Sequence, residues 1–262
     1  MTPLTVDPRI VCQFSCGATS AVATKLALAQ YAGREIIIVN AFIKEEDEDN
    51  RRFAADCERW FGHPITVLRD TKYGASVDEV WRRKRFMKGL HGAPCSMELK
   101  RKLLATVQRP GDVIVLGFDA SEQDRYEDLV DRNPERVFAV PLIERGLMKA
   151  DCLAMVQRAG IELPLMYRQG FENANCPGCP KGGEGYWNRI RVVRPKRFAE
   201  VMAIQESIGD GAYFFRNRKT GERFGLKDLR LNAGRHNEPS PSCSFFCEFA
   251  EAELAEAELK VR

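Results

Sequence analysis

Five short runs of aliphatic and β-branched residues punctuate the first 143 residues, and their spacing constrains the fold more than any other feature. They are RIVCQFSC (9–16), REIIIVNAFIK (34–44), PITVLRD (64–70), GDVIVLGFDA (111–120) and RVFAVPLI (136–143). Runs this short and this continuously apolar suit strands buried on both faces. Segments with helical apolar spacing separate them, at residues 19–31 and in EEDEDNRRFAADCERWFG, which ends at Gly62. Strand and helix in alternation predict an α/β fold, a Rossmann-like parallel twisted sheet with helices on both faces. Ligands of such folds gather at the C-terminal ends of the strands. Residues 15–20 and 117–125 fall at those ends.

The character changes near residue 165. The predicted organisation is a nucleotide-binding α/β domain over 1–165 and a cysteine-containing C-terminal region over 166–262. GFENANCPGCPKGGEGYWNRIRVVRPKRF reads as loop, followed by a helix from about 195 to 208. RFGLKDLR reads as a short helix, AGRHNEPSPSCSFFCE as loop, and EFAEAELAEAELK as a solvated terminal helix. An apolar fraction of 44% and a charged fraction of 29% are those of a soluble globular chain, and a net charge of +3 points to no partner. MTPLTVDPRI lacks the basic-then-apolar pattern of a signal peptide, and no apolar run approaches the roughly 20 residues that span a bilayer. The expected location is cytoplasmic, with no membrane partner.

The small residues of SCGATS (15–20) let the backbone approach an anion, and the helix that follows favours negative charge. The Walker pattern is absent, since no Gly-Lys-Ser/Thr closes the loop. On the loop alone, a phosphate cradle and a plain tight turn are both open readings.

Nine cysteines are many for this length, and a reducing compartment turns clustered cysteines toward metal or redox chemistry. Cys12, Cys57 and Cys152 stand in apolar or helical contexts and read as small buried hydrophobes. Cys176-x-x-Cys179 lies among Asn, Pro and Gly, where zinc, an iron–sulfur cluster and a redox pair are all open. No HExxH occurs, and His63, His91 and His236 read as surface or packing histidines. WRRKRFMKG (81–89) and RIRVVRPKRF (189–198) read either as solvated faces or as a nucleic-acid track.

Four segments in order, spread over residues 9–198, carry a resemblance: FSCGATSAV, GAPCSMELKRKLL, LGFDASEQDR and GIELPLMYRQGFENANCPGC. Together they resemble the phosphoadenosine phosphosulfate (PAPS) reductase family, within the PP-loop, adenine nucleotide alpha-hydrolase-like (HUP-type) superfamily. The resemblance implies an adenine nucleotide (ATP, adenylyl sulfate or PAPS) over the strand ends. Ser15, Gly17, Thr19 and Ser20 would hold its phosphates, with Gly117, Glu122 and Arg125 in the segment after the central strand. Arg125 and Lys100 would neutralise its charge, guanidinium offering a bidentate fork. It also implies a 4Fe–4S cluster on Cys95, Cys176, Cys179 and one C-terminal cysteine, Cys247. The alternative is a zinc site of Cys176, Cys179, Cys243 and Cys247.

Three departures shape the expected function. Thr19 stands where the ATP pyrophosphatases of the superfamily carry an Asp that can hold Mg²⁺, which favours holding a nucleotide over cutting ATP. Pro94 takes one position of the Cys-Cys pair found in cluster-bearing adenylyl-sulfate reductases. The family's C-terminal Glu-Cys-Gly-Leu/Ile-His is replaced by CSFFCEFAEAEL, leaving Cys243 or Cys247 as the candidate nucleophile and Lys100 as a catalytic cation. The expected activity is an oxidoreductase-type sulfur chemistry on an adenine (sulfo)nucleotide, with a thiol reductant such as thioredoxin as partner. The alternatives are an ATP-dependent sulfurtransferase or nucleobase modifier acting on tRNA or DNA, and a non-catalytic nucleotide-binding module.

Overall fold

The computed structural model describes residues 7–89, 92–235, 238 and 241. In chain order its elements begin with β1 (Ile10–Gln13), α1 (Ala18–Gln30), β2 (Ile36–Ala41), α2 (Asp49–Phe61), β3 (Ile65–Leu68), α3 (Val77–Lys84) and α4 (Pro94–Ser96). A π-turn over Met97–Arg101 continues α4 into α5 (Lys102–Ala105). β4 (Val113–Val115), α6 (Gln123–Asp131), β5 (Val137–Ala139), α7 (Lys149–Arg158) and α8 (Leu165–Arg168) come next. The last are α9 (Glu184–Val193), α10 (Pro195–Ile208), β6 (Phe215–Arg216) and β7 (Arg223–Phe224). They form two compact units. The first comprises the chain up to Ala41, Glu48–Leu68 and Leu104–Arg168; the second comprises Phe42–Asp47, Arg69–Leu103 and the chain from Gln169.

The first unit is built on one all-parallel sheet in the order β3-β2-β1-β4-β5, the α/β architecture that the apolar runs predict. Ile10 pairs with Ile36 on one side and Val113 on the other, so β1 lies at the centre. Every residue of β1 and β4 is buried, whereas β3 and β5 at the edges keep exposed positions. The chain steps outward from β1 to β3, then restarts at β4 on the other side. Right-handed crossovers therefore put α1 and α2 on one face and α6 on the other. The strand order switches direction between β1 and β4, the place where sheets of this kind bind ligands.

The alanines of α1 let it lie close to the sheet and to α7, burying Ala18, Ala21, Val22 and Ala27 with Phe14, Phe53 and Leu142. The N-terminal edge of the sheet is pinned by Arg9, whose Nη2 lies 2.7 Å from Asp112 Oδ2 and also donates to the Val107 carbonyl. Gly62, left-handed at φ 66°, ends α2 as the C-terminal reading expects.

In the second unit α9 and α10 pack together and α10 meets α3. Arg197 on α10 forks onto Asp78 on α3, with both N···O distances 2.7 Å. Trp187 stacks on Phe214 at 5.4 Å between ring centroids and meets Phe198 edge-on. The segment 170–198 is not loop up to its final residues, because α9 occupies Glu184–Val193. Its buried Trp187 and Ile190, one helical turn apart, drive that helix despite the glycines before it. The helix expected over 223–230 is instead the end strand β7, paired antiparallel with β6, and a single 3₁₀ turn at Leu226–Asp228. The predicted helix from 195 to 208 is reproduced, as α10. The expected terminal helix lies outside the described residues. Among the described residues, no helix is long and apolar enough to cross a membrane.

Candidate functional site

The loop between β1 and α1 turns at Cys16, a non-glycine residue at φ 57°. That left-handed backbone is costly for a residue with a Cβ and is found where surrounding structure enforces it. Here the enforcement comes from Asn40, buried at the end of β2, whose Nδ2 donates to the Phe14 carbonyl at 2.9 Å and to Cys16 Sγ at 3.4 Å. Ser20 Oγ ties the loop from inside: it donates to the Gly17 carbonyl at 2.9 Å and accepts from the Ser15 N–H at 3.2 Å. Gly17 caps α1 in extended conformation without a side-chain bond of its own.

One neighbour reaches the start of α1 from the far end of this unit. The Tyr167 hydroxyl accepts from the Ala18 N–H at 3.3 Å, at the mouth where an anion would be cradled. Burial pushes that hydroxyl up to about 12, so it is neutral at ordinary pH. Its segment is fixed by α2: Asp49 accepts from the Leu165 N–H at 2.7 Å, and Arg52 donates to the Glu162 and Leu163 carbonyls.

Gly117, two residues past β4, packs directly on the first turn of α1, where a Cβ would lie 2.7 Å from Ser20 Cα. Glycine is therefore required by backbone contact across the switch point. Beyond it, Asp119 caps the turn at Ala120–Glu122 by accepting from the Ser121 N–H, and Glu122 answers by accepting from the Asp119 N–H. Arg125 pairs with Glu122 and sits 5.0 Å from the centre of the Phe118 ring. So Ser15, Gly17, Ser20 and Gly117 are brought together with Thr19 in the same turn, while Glu122 and Arg125 pair with each other on the following turn.

In the second unit a small, almost wholly apolar cavity is lined by Cys95, Cys176, Cys179 and Lys100, with Trp81 and Asn175 in its wall. Pro94 starts α4, which presents Cys95, and the π-turn that follows carries Lys100. π-turns inside helices mark functional positions more often than regular helix does. Lys100 Nζ lies 3.2 Å from Glu46 Oε1, and both side chains are buried.

The Cys176–Cys179 loop is shaped by Tyr186 at the start of α9. Its hydroxyl accepts from the Gly178 and Cys179 N–H groups at 2.9 and 3.1 Å and donates to the Cys176 carbonyl. Arg197 donates to the Pro177 carbonyl. Gly178 takes φ 78°, and a Cβ there would stand 3.2 Å from the Trp187 ring, so this position of the CxxC demands glycine on two counts. Past the loop, Asn173 and Asn175 both donate to the Pro241 carbonyl, and Glu238 accepts from the Gly185 N–H at 2.9 Å.

Three cysteines share this cavity, the ligand type that thiolate-bound metal groups use, and one wall donor, Trp81 Nε1, is buried with no hydrogen-bond partner. Among the described residues, no group of three or more His, Cys, Asp or Glu side chains is placed to hold a metal ion. Cys243 and Cys247, the C-terminal candidates, lie outside the described residues. His91 and His236 also lie outside them. Cys12, Cys57 and Cys152 are fully buried, as small hydrophobes are, and burial pushes each thiol up to about 12.

The two basic stretches make intramolecular contacts within the second unit. Arg83 pairs with Glu79, Arg85 donates to the Ile208 carbonyl, Arg191 to the Leu229 carbonyl, and Arg194 pairs with Asp47. Three residues at these sites escaped the sequence reading: Asn40, Tyr167 and Trp81. Asn40 alone had a local signal, an amide within the apolar run IIIVNAF. The chain matches no family model and no curated protein.

Proposed function

We propose that this chain is an enzyme of the PAPS reductase type, binding an adenine sulfonucleotide through the β1–α1 loop and performing thiol-dependent sulfur chemistry at the cysteine cavity. The observation that carries this reading is the meeting of Cys95, Cys176 and Cys179 in one cavity that Lys100 also lines, from two segments remote in sequence. The loop at the β1/β4 switch, with Gly117 against Ser20, supports the nucleotide half of the reading.

Cys95, Cys176 and Cys179 would hold an iron–sulfur cluster, and the apolar wall would tune it. When bound, such a cluster supplies a charged, polarisable centre for chemistry at sulfur. The remaining steps need thiols alone. A cysteine thiolate, Cys243 or Cys247, attacks the sulfonyl sulfur, and the sulfur–oxygen bond to phosphate breaks as the nucleotide leaves. A second thiol, from the chain or a thioredoxin-like reductant, attacks the new S–S bond. Sulfite departs and a disulfide remains, so two thiols supply both electrons.

Anaerobic incubation with ATP, adenylyl sulfate and PAPS in separate reactions, read by mass spectrometry, tests the proposal. Sulfite with AMP or adenosine bisphosphate is the expected result. AMP with pyrophosphate from ATP would replace it with the sulfurtransferase or nucleobase-modifying reading. Bound nucleotide recovered unaltered in all three reactions would leave a binding module.

A further inference from the structure

We infer that the Trp81 indole N–H is a positioning donor for the group held by the cysteine cavity, bonding to a sulfur of its thiolate ligands. The inference rests on the reading that this cavity binds a thiolate-ligated metal group.

Trp81 is 1% exposed, lines the cavity with Cys95, Cys176 and Cys179, and its Nε1 is buried with no hydrogen-bond partner. An indole nitrogen is a donor only, and burying it unmet forfeits its bond to water without return. Such groups in a folded protein mark strain, a functional role, or a place that a water or an ion fills. The rest of the wall exposes little polar surface, and the acceptor assigned to this donor is a cysteine sulfur of the cavity or its contents. A thiol sulfur accepts weakly, whereas a metal-bound thiolate carries charge and accepts well. Donors of this kind orient metal ligands and tune the metal they hold.

The indole is also held in place from behind. The Arg197 guanidinium lies 5.9 Å from its ring centre while forking onto Asp78, and α3 starts from a Ser76 cap that accepts from the Glu79 N–H. The indole ring is therefore held in place before any metal arrives. Trp187 offers an internal comparison. Its Nε1 is likewise buried without a partner, yet it does not line the cavity, and its ring lies against Gly178 of the CxxC loop.

The test uses the full chain labelled with ¹⁵N-tryptophan and titrated anaerobically with cadmium, with indole signals assigned through Trp81→Phe and Trp187→Phe. Thiolate-to-cadmium absorbance reports binding independently of any activity. The expected result is a downfield shift and slowed solvent exchange of the Trp81 indole proton, with Trp187 and Trp60 unmoved. Trp81→Phe is expected to weaken cadmium binding roughly five-fold, the worth of one hydrogen bond. A full absorbance band with an unmoved Trp81 signal overturns the inference and leaves the cavity reading standing. Equal shifts at Trp81 and Trp187 also overturn it, as they report a rearranged loop. Absence of the absorbance band overturns the inference and the cavity reading together.

Discussion

Gly117 and Ser20 are in backbone contact across the switch point of the sheet: a Cβ at 117 would lie 2.7 Å from Ser20 Cα and 2.8 Å from Ser20 N. Both obstructing atoms are main chain, so no rotamer change relieves the clash. Gly117→Ala must push α1 away from β4, and overpacking of this kind costs about 1–3 kcal/mol. Urea unfolding should show a lower midpoint at unchanged slope, with weaker binding of adenosine nucleotides. A variant as stable as the wild type would show that β4 and α1 separate freely.

The Tyr167 hydroxyl sits at the mouth of the β1–α1 loop, accepting from the Ala18 N–H. Tyr167→Phe removes that acceptor and should lower stability by about 1 kcal/mol. It should also tighten binding of AMP, because the amide no longer has an internal partner to release. Burial keeps this hydroxyl neutral up to about 12, so the gain should be level between about pH 7.5 and 9, above the second ionisation of the AMP phosphate at about 6. Calorimetric titration decides the matter: weaker binding by the variant would make the hydroxyl a nucleotide contact and not a competitor.

Thiol reactivity should divide the cysteines. The thiolate is the nucleophile, and burial raises Cys12, Cys57 and Cys152 to about 12. At pH 8 only about one part in ten thousand of each is ionised, as four pH units below a pKa dictates. Iodoacetamide on the native chain should leave all three unmodified, and urea should expose them together. Peptide mass mapping that found any of them alkylated in the native protein at the rate of a small thiol would contradict the burial.

The strands were legible because central parallel strands are apolar along most of their length: β4 is so throughout, and β1 and β2 are so but for Gln13 and Asn40. Their ends were not, because apolar residues such as Phe14 and Leu116 continue past the ladder into the ligand loops. α9 was hidden by Gly182, Gly183 and Gly185, which dominate the composition around its start although its helical signal lies in Trp187 and Ile190. The cysteine segments were readable as short motifs. Trp81 sits in a run of arginines and gave no sign of facing a cavity, since that depends on how α3 and α4 pack. Tyr167 and Ala18 are 149 residues apart, and no local pattern encodes such a contact.

Arg9 and Asp112 make a buried fork at the opposite edge of the sheet, with side chains 9% and 4% exposed. Burial works to raise the Asp112 carboxyl, but the Arg9 fork and the Arg109 N–H hold it below the usual carboxylate range. A depressed folded value means that the pair's contribution is present above the unfolded value and is lost as pH falls through the folded one. Asp112→Asn leaves a buried guanidinium without its counter-charge and should cost about 3 kcal/mol at pH 7. The gap between wild type and variant should then narrow below about pH 4, the ordinary aspartate value. Asp49, held low by Arg52, titrates in the same range but is present in both proteins and cancels in the difference. Urea unfolding at several pH values down to 2 reads that gap directly. A gap that stayed constant to pH 2 would show that the Asp112 charge contributes nothing and that its role is steric.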